Sequence, residues 1–140
     1  MLRQLSGSIA VSTRGPGLTD LSCEVETFVS KAKITEGLLT LFLRHTSASL
    51  LIQENADSDV LRDLENFFSR LVSRDQKLYG HQTEGPDDMP AHIRSALTDV
   101  SLAIPVTGGN LALGTWQGVY LFEHRRAPHT RRLVLHLNGE

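Results

Sequence analysis

The last third of the chain constrains the fold most, because short apolar segments alternate there with turns rich in glycine, arginine and polar residues. We predict four short strands in this region, at Ser101–Val106, Leu111–Leu113, Val119–Glu123 and Leu133–Leu137. Segments of this length and spacing are typical of a sheet. The C-terminal third is therefore expected to consist of strands.

The first part of the chain combines strands with one amphipathic helix. Arg3–Thr13 has the mixed alternation of a strand, and the helix that follows has a buried face formed by Leu21, Val25, Phe28 and Val29. Leu38–Leu43 is almost continuously apolar, which predicts a strand buried on both faces. Ser49–Ile52 is expected to be its neighbour in the sheet.

Two further helices are predicted in the middle of the chain. The clearer one runs from Asp57 to Val72, where apolar residues recur at helical spacing and form one broad stripe. A shorter helix is expected to open at Pro90, because proline is favoured in the first helical position, and to continue through Leu97.

Size and composition exclude several classes of protein. A chain of 140 residues with 40% hydrophobic content is expected to form one domain over residues 1–140, with a core that needs no disulfide. Fourteen basic and sixteen acidic residues leave a formal net charge of -2, so nucleic acid is not an expected partner. No apolar run approaches the roughly 20 residues that span a bilayer, so no membrane partner is expected.

The chain has a single cysteine, which bears on the compartment. Cys23 cannot form an intramolecular disulfide, and its apolar neighbours in the sequence predict a small buried side chain. A thiol without a disulfide partner fits a reducing compartment. We therefore expect a cytoplasmic protein.

The segment Tyr79–Ile93 is a polar loop without a hydrophobic pattern of its own. It contains two histidines and three acids, namely His81, Glu84, Asp87, Asp88 and His92. Imidazoles and carboxylates bind divalent metals or move protons near neutral pH, so this composition favours chemistry. The alternative is a solvated loop whose acids only start the next helix.

Three histidines are candidate metal ligands. His45 directly follows the apolar strand, His81 lies in the polar loop, and His92 is predicted in the first turn of the short helix. The positive end of a helix dipole favours the neutral imidazole, which is the form that ligates metals. Three histidines at a strand end, in a loop and at a helix start suit an open metal site with a free coordination position. The alternative is that two are surface histidines and the third is capped or buried.

Three acids have two interpretations each. Glu54 stands with Asn55 between a strand and the long helix, where it could act as a general base or orient a ligating imidazole. A charge placed favourably before a helix explains it equally well. Asp87 and Asp88 precede the short helix, and either could serve as a helix cap instead of a catalytic group.

A tight turn and an arginine-rich turn complete the candidates. Trp116 and Gln117 lie between Gly114 and Gly118, so the backbone could bring an aromatic face and an amide to a ligand. A hairpin bend with a packed tryptophan is the alternative.

The last turn of the chain is rich in arginine. Its guanidinium groups could hold phosphate, but we favour a solvated surface turn for this set, which is Arg125, Arg126, Arg131 and Arg132.

Four longer segments carry a family likeness. They are His45–Leu50, Glu54–Asp57, Glu84–Ile93 and a signature that begins at Ser101 and includes Ile104, Val106, Gly109, Gly114–Gln117 and Val119. Together they resemble the YjbQ family, known as secondary thiamine-phosphate synthase enzymes, and the resemblance covers essentially the whole chain. It implies an α+β, β-sandwich-like single domain, mainly β and jelly-roll-like, with two to three flanking helices. It also implies a homotrimer with sites near subunit boundaries.

The resemblance implies an activity on small phosphorylated substrates. In that reaction the nitrogen of a thiazole phosphate attacks the methylene of a pyrimidine pyrophosphate and displaces pyrophosphate, as a secondary or promiscuous activity. The alternatives are a metal-dependent hydrolase of a related metabolite and a non-catalytic trimer that binds a metal or an anion.

Carried over to this sequence, the resemblance implies a divalent metal, zinc or another transition metal, held by His45, His81 and His92. Some family members have a His-x-His pair where this chain has Pro90 and His92, so Asp87, Asp88 or Glu84 would complete the ligand set here. The metal would neutralise the pyrophosphate leaving group. The expected catalytic residues are Glu54 for proton transfer and Trp116 for stacking on a flat ring, together with Asp87, Asp88 and Gln117.

Overall fold

The computed structural model describes all 140 residues, which form eight strands and three α-helices. In chain order these are β1 (Arg3–Ser12), β2 (Gly17–Asp20), α1 (Ser22–Ala32), β3 (Gly37–Leu43), β4 (Ala48–Glu54), α2 (Ser58–Leu71), α3 (Asp88–Leu97), β5 (Ser101–Thr107), β6 (Asn110–Leu111), β7 (Gln117–Glu123) and β8 (Thr130–Gly139). A single turn of 3-10 helix, Gln76–Leu78, lies between α2 and α3. The predicted strands of the last third are confirmed.

The strands form two antiparallel sheets. The larger sheet has the order β1-β8-β3-β5-β6 and the smaller one the order β2-β7-β4. Alternate side chains of the longer strands β1, β3, β4, β5, β7 and β8 point into a common core, to which α1 adds Val25, Val29 and Ala32. This α+β architecture of antiparallel sheets with three helices confirms the fold class that the family resemblance implied.

The central strand β3 differs from its prediction in two ways. Only one of its faces is buried, because Leu39 and Leu41 are fully covered while Leu38 and Phe42 are 41% and 47% exposed. The strand that follows, β4, is not its neighbour but pairs with β7 in the other sheet. A continuous apolar run does not distinguish a strand buried on both faces from one that exposes some apolar side chains.

Helix α2 begins where the sequence predicts, since the Asp57 side chain caps it by accepting a hydrogen bond from the Asp59 N–H at 2.9 Å. Its apolar stripe is only partly covered, and Phe67 and Leu71 are 49% and 55% exposed. None of the three α-helices has the length and apolarity needed to cross a membrane.

Two local predictions are wrong, and one short strand was not among the predicted elements. Helix α3 begins at Asp88, two residues before Pro90, so His92 lies in the second turn and not the first. Proline is accepted at this position because the first N–H groups of a helix have no partner within it. Cys23 is exposed, since the buried face of α1 starts at Val25 and Cys23 points away from it. The short strand β2 was not anticipated.

Candidate functional site

A buried carboxylate, Asp88, lies at the centre of a cluster at the start of α3. Its side chain is 1% exposed, and its Oδ2 atom lies 2.6 Å from His81 Nε2 and 2.9 Å from His92 Nε2. The ligand atoms of these three residues all lie within 4.8 Å of one another. The structure therefore brings two of the predicted metal ligands together with one of the acids from the same loop.

Helix geometry and a backbone carbonyl fix the orientation of His92. It follows Asp88 by four residues, so both side chains lie on one face of α3. The His92 Nδ1 atom lies 2.8 Å from the carbonyl oxygen of Thr46, which can only accept, so Nδ1 must carry a proton. In the neutral ring, Nε2 then presents a lone pair to the Asp88 carboxylate. This contact is favourable only if a second proton or another cation lies between the two atoms.

The local charges keep Asp88 ionised. Burial by itself would raise the pKa of Asp88, but the hydrogen bond from His81 and the positive charges of His92 and Arg125 hold that pKa below its usual value. An ionised carboxylate beside two imidazoles is a suitable donor set for a transition metal. His81 is 40% exposed and His92 is 29% exposed, so the cluster is open to solvent on one side.

Arg125, just after β7, anchors the loop that carries the acids. Its Nη1 donates to Asp88 Oδ1 at 2.7 Å, its Nε to Asp87 Oδ2 at 3.1 Å, and its Nη2 to the Glu84 carbonyl at 2.9 Å. All three guanidinium nitrogens are thus engaged by protein, so Arg125 is a clamp for the loop in this structure. Neither Asp87 nor Asp88 is a side-chain cap of α3, because Asp87 instead accepts hydrogen bonds from Arg125 and the Arg126 N–H.

His45 lies outside the cluster. Its Nε2 accepts a hydrogen bond from the Arg132 N–H at 2.9 Å, and Arg131 Nη1 lies 3.5 Å from its Nδ1. A neutral imidazole has one acceptor nitrogen, so the Nε2 lone pair is occupied by the backbone. Burial and the neighbouring Arg131 charge lower the pKa of His45. His45 and His92 nevertheless line one open cavity of about 280 Å³.

A buried ion pair, which sequence reasoning missed, holds the turn between β3 and β4. Arg131 donates through Nε to Glu123 Oε1 at 2.8 Å and through Nη2 to Ser47 Oγ at 2.9 Å. Thr13 donates to the same carboxylate at 2.7 Å. Burial would raise the pKa of Glu123, but these hydrogen bonds lower it. The sequence does contain one signal of this pair, because Glu123 ends an otherwise apolar strand and a buried acid needs a partner.

The remaining candidates lie at the other end of the smaller sheet. In the β4–β7 pair, Ala48 is opposite Glu123 and Glu54 is opposite Gln117. Six strand steps separate the two ends of β4, so Glu54 lies on the order of 20 Å from the end that carries the histidines. A single chain therefore does not unite the predicted catalytic residues.

The turn before β7 presents its tryptophan to the outside. The Trp116 carbonyl accepts a hydrogen bond from the Asn55 N–H at 3.0 Å, and the Gln117 side chain accepts one from the Gly114 N–H at 2.7 Å. Trp116 itself is 63% exposed. The alternative of a tryptophan packed against its own chain is therefore wrong.

The family profile and the related sequences that match this chain all belong to one family. The sequence profile described as "UPF0047 protein YjbQ-like" matches residues 7–140. A UPF0047 protein of Synechocystis is 52% identical over 138 residues, covering 99% of this chain and 94% of that protein. The UPF0047 protein YjbQ of Escherichia coli O157:H7 is 48% identical over 108 residues, covering 77% of this chain and 78% of the other.

Solved structures agree in fold. A conserved hypothetical protein of Thermus thermophilus is 34% identical with a TM-score of 0.81, covering 91% of this chain and 97% of that one. A YbjQ-like protein from Sulfolobus solfataricus P2 has a TM-score of 0.87 at 23% identity, with both chains covered fully. The second comparison supports the fold alone.

Proposed function

This chain belongs to the YjbQ-like UPF0047 family, and on that premise we propose that it is a metal-assisted enzyme acting on a small phosphorylated substrate. The proposed ligands are His81, Asp88 and His92. The nameable reaction is thiamine-phosphate synthesis, in which the thiazole nitrogen forms a bond to the pyrimidine methylene while the bond from that carbon to pyrophosphate breaks.

The observation that carries the proposal is the orientation of His92. The Thr46 carbonyl accepts a hydrogen bond from the His92 Nδ1–H, and Nε2 is turned towards the Asp88 carboxylate and His81. Ligating histidines typically donate their second ring nitrogen to a carbonyl or a carboxylate in this way. A purely structural hydrogen-bonded cluster is the competing explanation. In it a neutral His81 can donate its Nε2–H to Asp88, but His92 needs a second ring proton because its Nδ1–H already donates to Thr46.

The donor set suits a divalent ion. Bound there, the ion would supply the positive charge that neutralises a departing pyrophosphate. Three protein ligands leave a position for substrate, as catalytic sites require, whereas structural sites usually have four. Arg125 keeps Asp88 in place from the opposite side, so the carboxylate Oδ2 faces the two imidazoles.

The proposed proton transfer and ring stacking need Glu54, Trp116 and Gln117, which lie at the end of the smaller sheet away from the histidines. We propose that a homotrimer provides them, with Trp116 and Gln117 of one copy near the histidine cluster of its neighbour. The exposed Trp116 supports this arrangement, because a large aromatic side chain that is free in one chain is a suitable contact for a ring or a second copy. Glu54 lies at the same end and would manage protons there.

A hydrolase is the second candidate, and one observation favours it. The proposed metal ligands His81, Asp88 and His92 all lie within one chain, and His92 also lines an open cavity. Hydrolysis of a related phosphorylated metabolite would require neither the thiazole acceptor nor Trp116 from another copy.

We also propose a cytoplasmic location. Cys23 is free and exposed, and such a thiol persists in a reducing compartment. Cell fractionation tests this point directly, and recovery of the protein outside the cytoplasm would contradict it.

The first test is the metal content of the untagged chain, measured by elemental analysis after divalent ions have been resupplied. We expect about one ion per chain in the wild type, and its loss in His81→Ala and His92→Ala. The matched control is His136→Ala, which removes a histidine on the outer side of β8 and should retain the ion. His45→Ala distinguishes the sequence prediction from the structure. The sequence predicts that this variant loses the ion, whereas the cluster in the structure does not include His45 and predicts that the ion stays bound. No ion in the wild type would refute the proposal.

The second test is turnover with the thiazole phosphate and the pyrimidine pyrophosphate, together and separately, with products identified by mass spectrometry. Thiamine phosphate that forms only with both, and is lost in His92→Ala but not in His136→Ala, supports the transferase. Phosphate or pyrophosphate release without the acceptor supports the hydrolase. A stoichiometric metal without any turnover favours the binding protein, and sedimentation of the purified chain tests the trimer.

A further inference from the structure

A second polar cavity lies on the other face of α3 and plays no part in the proposed metal centre. Three of its seven lining residues are arginines, and the full lining consists of Pro16, Arg74, Asp87, Pro90, Arg94, His124 and Arg126. Arg94 follows His92 by two residues, which turns it by about 200° around the helix axis. The two groups therefore face away from each other.

The notable member of this arginine cavity is Arg94, because a buried guanidinium normally has a carboxylate partner. Arg94 is 4% exposed, yet its Nε and Nη2 atoms make no hydrogen bond. The negative charge of Glu65 on α2 favours the charged form of Arg94, but the two side chains form no ion pair. Leaving charged donors buried and unpaired costs more free energy than leaving a neutral donor unpaired, so a binding partner for Arg94 is the expected explanation.

His124 adds a second unpartnered group at the same place. It is 2% exposed, its Nε2 lies 2.9 Å from Ser49 Oγ, and its Nδ1 has no partner. If the Ser49 hydroxyl donates to Nε2, then Nδ1 carries the ring proton and is a donor. In that tautomer a buried imidazole and a buried guanidinium both lack an acceptor beside one cavity.

The charge of the cavity favours an anion. Arg74 and Arg126 add two exposed guanidinium groups, while the only acid in the lining is Asp87. The Asp87 Oδ2 atom already accepts from Arg125 and from the Arg126 N–H. Neither Asp87 nor any other acid of the chain accepts a hydrogen bond from the unpaired Arg94 nitrogens.

We propose that the arginine cavity binds a tetrahedral oxyanion, either free phosphate or the phosphoryl group of a small metabolite, with Arg94 as the buried anchor. Planar guanidinium groups match phosphate oxygens with paired hydrogen bonds. The free space is about 10 Å³, which is room for about one water molecule, so Arg74 and Arg126 must swing outwards to admit the ion. Both are exposed and long enough to close over it again.

This inference does not depend on the metal centre, and the experiment keeps the two apart. Inorganic phosphate is titrated into the full chain by calorimetry at constant ionic strength, in the wild type and in His92→Ala. Both are expected to bind phosphate with the same affinity. Binding that disappears in His92→Ala would place the anion at the histidine cluster and overturn the proposal.

Three variants test the cavity itself. Arg94→Met removes only the buried charge and is expected to weaken phosphate binding at least tenfold without lowering the melting temperature. Arg74→Gln/Arg126→Gln changes exposed side chains only, and it should weaken binding by a similar factor even if the first variant folds poorly. Arg70→Gln, an exposed arginine of α2 outside the cavity, should leave binding unchanged. No phosphate binding in the wild type, or equal binding in all variants, would overturn the proposal and leave water as the occupant.

A second titration with phenyl phosphate distinguishes the two sources of the oxyanion. Tighter binding of the monoester than of inorganic phosphate, with the same dependence on Arg94, supports a phosphorylated metabolite. Binding of inorganic phosphate alone supports the free ion. Acetate and chloride should not compete with either, and competition by both at equal strength would contradict a phosphate-specific site.

Discussion

His92 follows Asp88 by one turn of α3, and the two side chains meet with 2.9 Å between Nε2 and Oδ2. The other nitrogen of the ring is fixed on the Thr46 carbonyl, which belongs to the turn between the two sheets. A helix face and a loop carbonyl together determine where the lone pair of His92 points. The orientation is therefore a property of the fold and not only of the helix.

Replacing Asp88 by asparagine tests whether this contact forms part of a metal site. We expect Asp88→Asn to weaken Zn²⁺ binding at least tenfold, because the amide has no charge and is a poor ligand. Competition with a chromophoric chelator measures the affinity. The control is Asp87→Asn, which removes the neighbouring acid but leaves the cluster intact and should change the affinity by less than about threefold. Equal losses in both variants would point to a general electrostatic effect.

The buried pair of Glu123 and Arg131 should be sensitive to the loss of one partner. Arg131→Met leaves the Glu123 carboxylate buried without its main partner, and we expect a loss of about 3–5 kcal/mol in the free energy of unfolding. Urea denaturation measures it. The double variant Glu123→Leu/Arg131→Met removes both charges and should recover most of that loss. A single variant within about 1 kcal/mol of the wild type would show that water or a neighbouring group takes over the interaction.

A close approach of two strands makes Gly139 a strict requirement. It lies opposite Gly37 in the β3–β8 pair, and an added Cβ would collide with the Glu36 carbonyl oxygen and the Gly37 Cα. We expect Gly139→Ala to cost about 2–4 kcal/mol of stability, since backbone atoms must shift. Gly80→Ala is the control, because no atom lies within 4 Å of the added carbon, and it should change stability by less than about 0.5 kcal/mol. Similar melting temperatures for the two variants would contradict this account.

Local signals predicted the elements that depend on local interactions. Helix α2 follows from its apolar spacing and from the Asp57 cap, and the alternation of β5 and β8 follows from one-sided burial. The composition of the polar loop also pointed to His81, Asp88 and His92 as a group. Those three residues are close in the sequence, and one helix turn and one loop are enough to unite them.

Features that depend on tertiary packing could not be predicted in the same way. The Thr46 carbonyl and Arg125 reach the cluster from segments 46 and 37 positions away along the chain. A carbonyl carries no sequence signal, and an arginine in a polar turn is indistinguishable from a solvated one. The crossing from β3 to the other sheet placed Glu54 far from the histidines, and an apolar run gives no information about which sheet the next strand joins.

The pH dependence of stability tests the environment of His124. Burial and then the positive charge of Arg94 lower the pKa of His124 to about 3 in the folded chain, whereas an unfolded histidine titrates near its usual value of about 6.5. Between these values the unfolded chain binds a proton that the folded chain does not, so stability falls as the pH falls through this window. The carboxylates with lowered pKa, namely Asp87, Asp88 and Glu123, lose their contribution only at lower pH.

From pH 6.5 to pH 5 we expect His124 to account for a loss of about 2 kcal/mol in the free energy of unfolding. His124→Gln should reduce the loss by that amount, because glutamine does not titrate and can still bond to Ser49. His136→Gln, on the outer side of β8, should keep the wild-type slope. Urea denaturation at the two pH values measures all three chains, and identical slopes for the wild type and His124→Gln would mean that His124 is already protonated or solvated in the folded protein. In that case its ring would have a partner in solution, and the cavity beside Arg94 would be more open than its buried lining indicates.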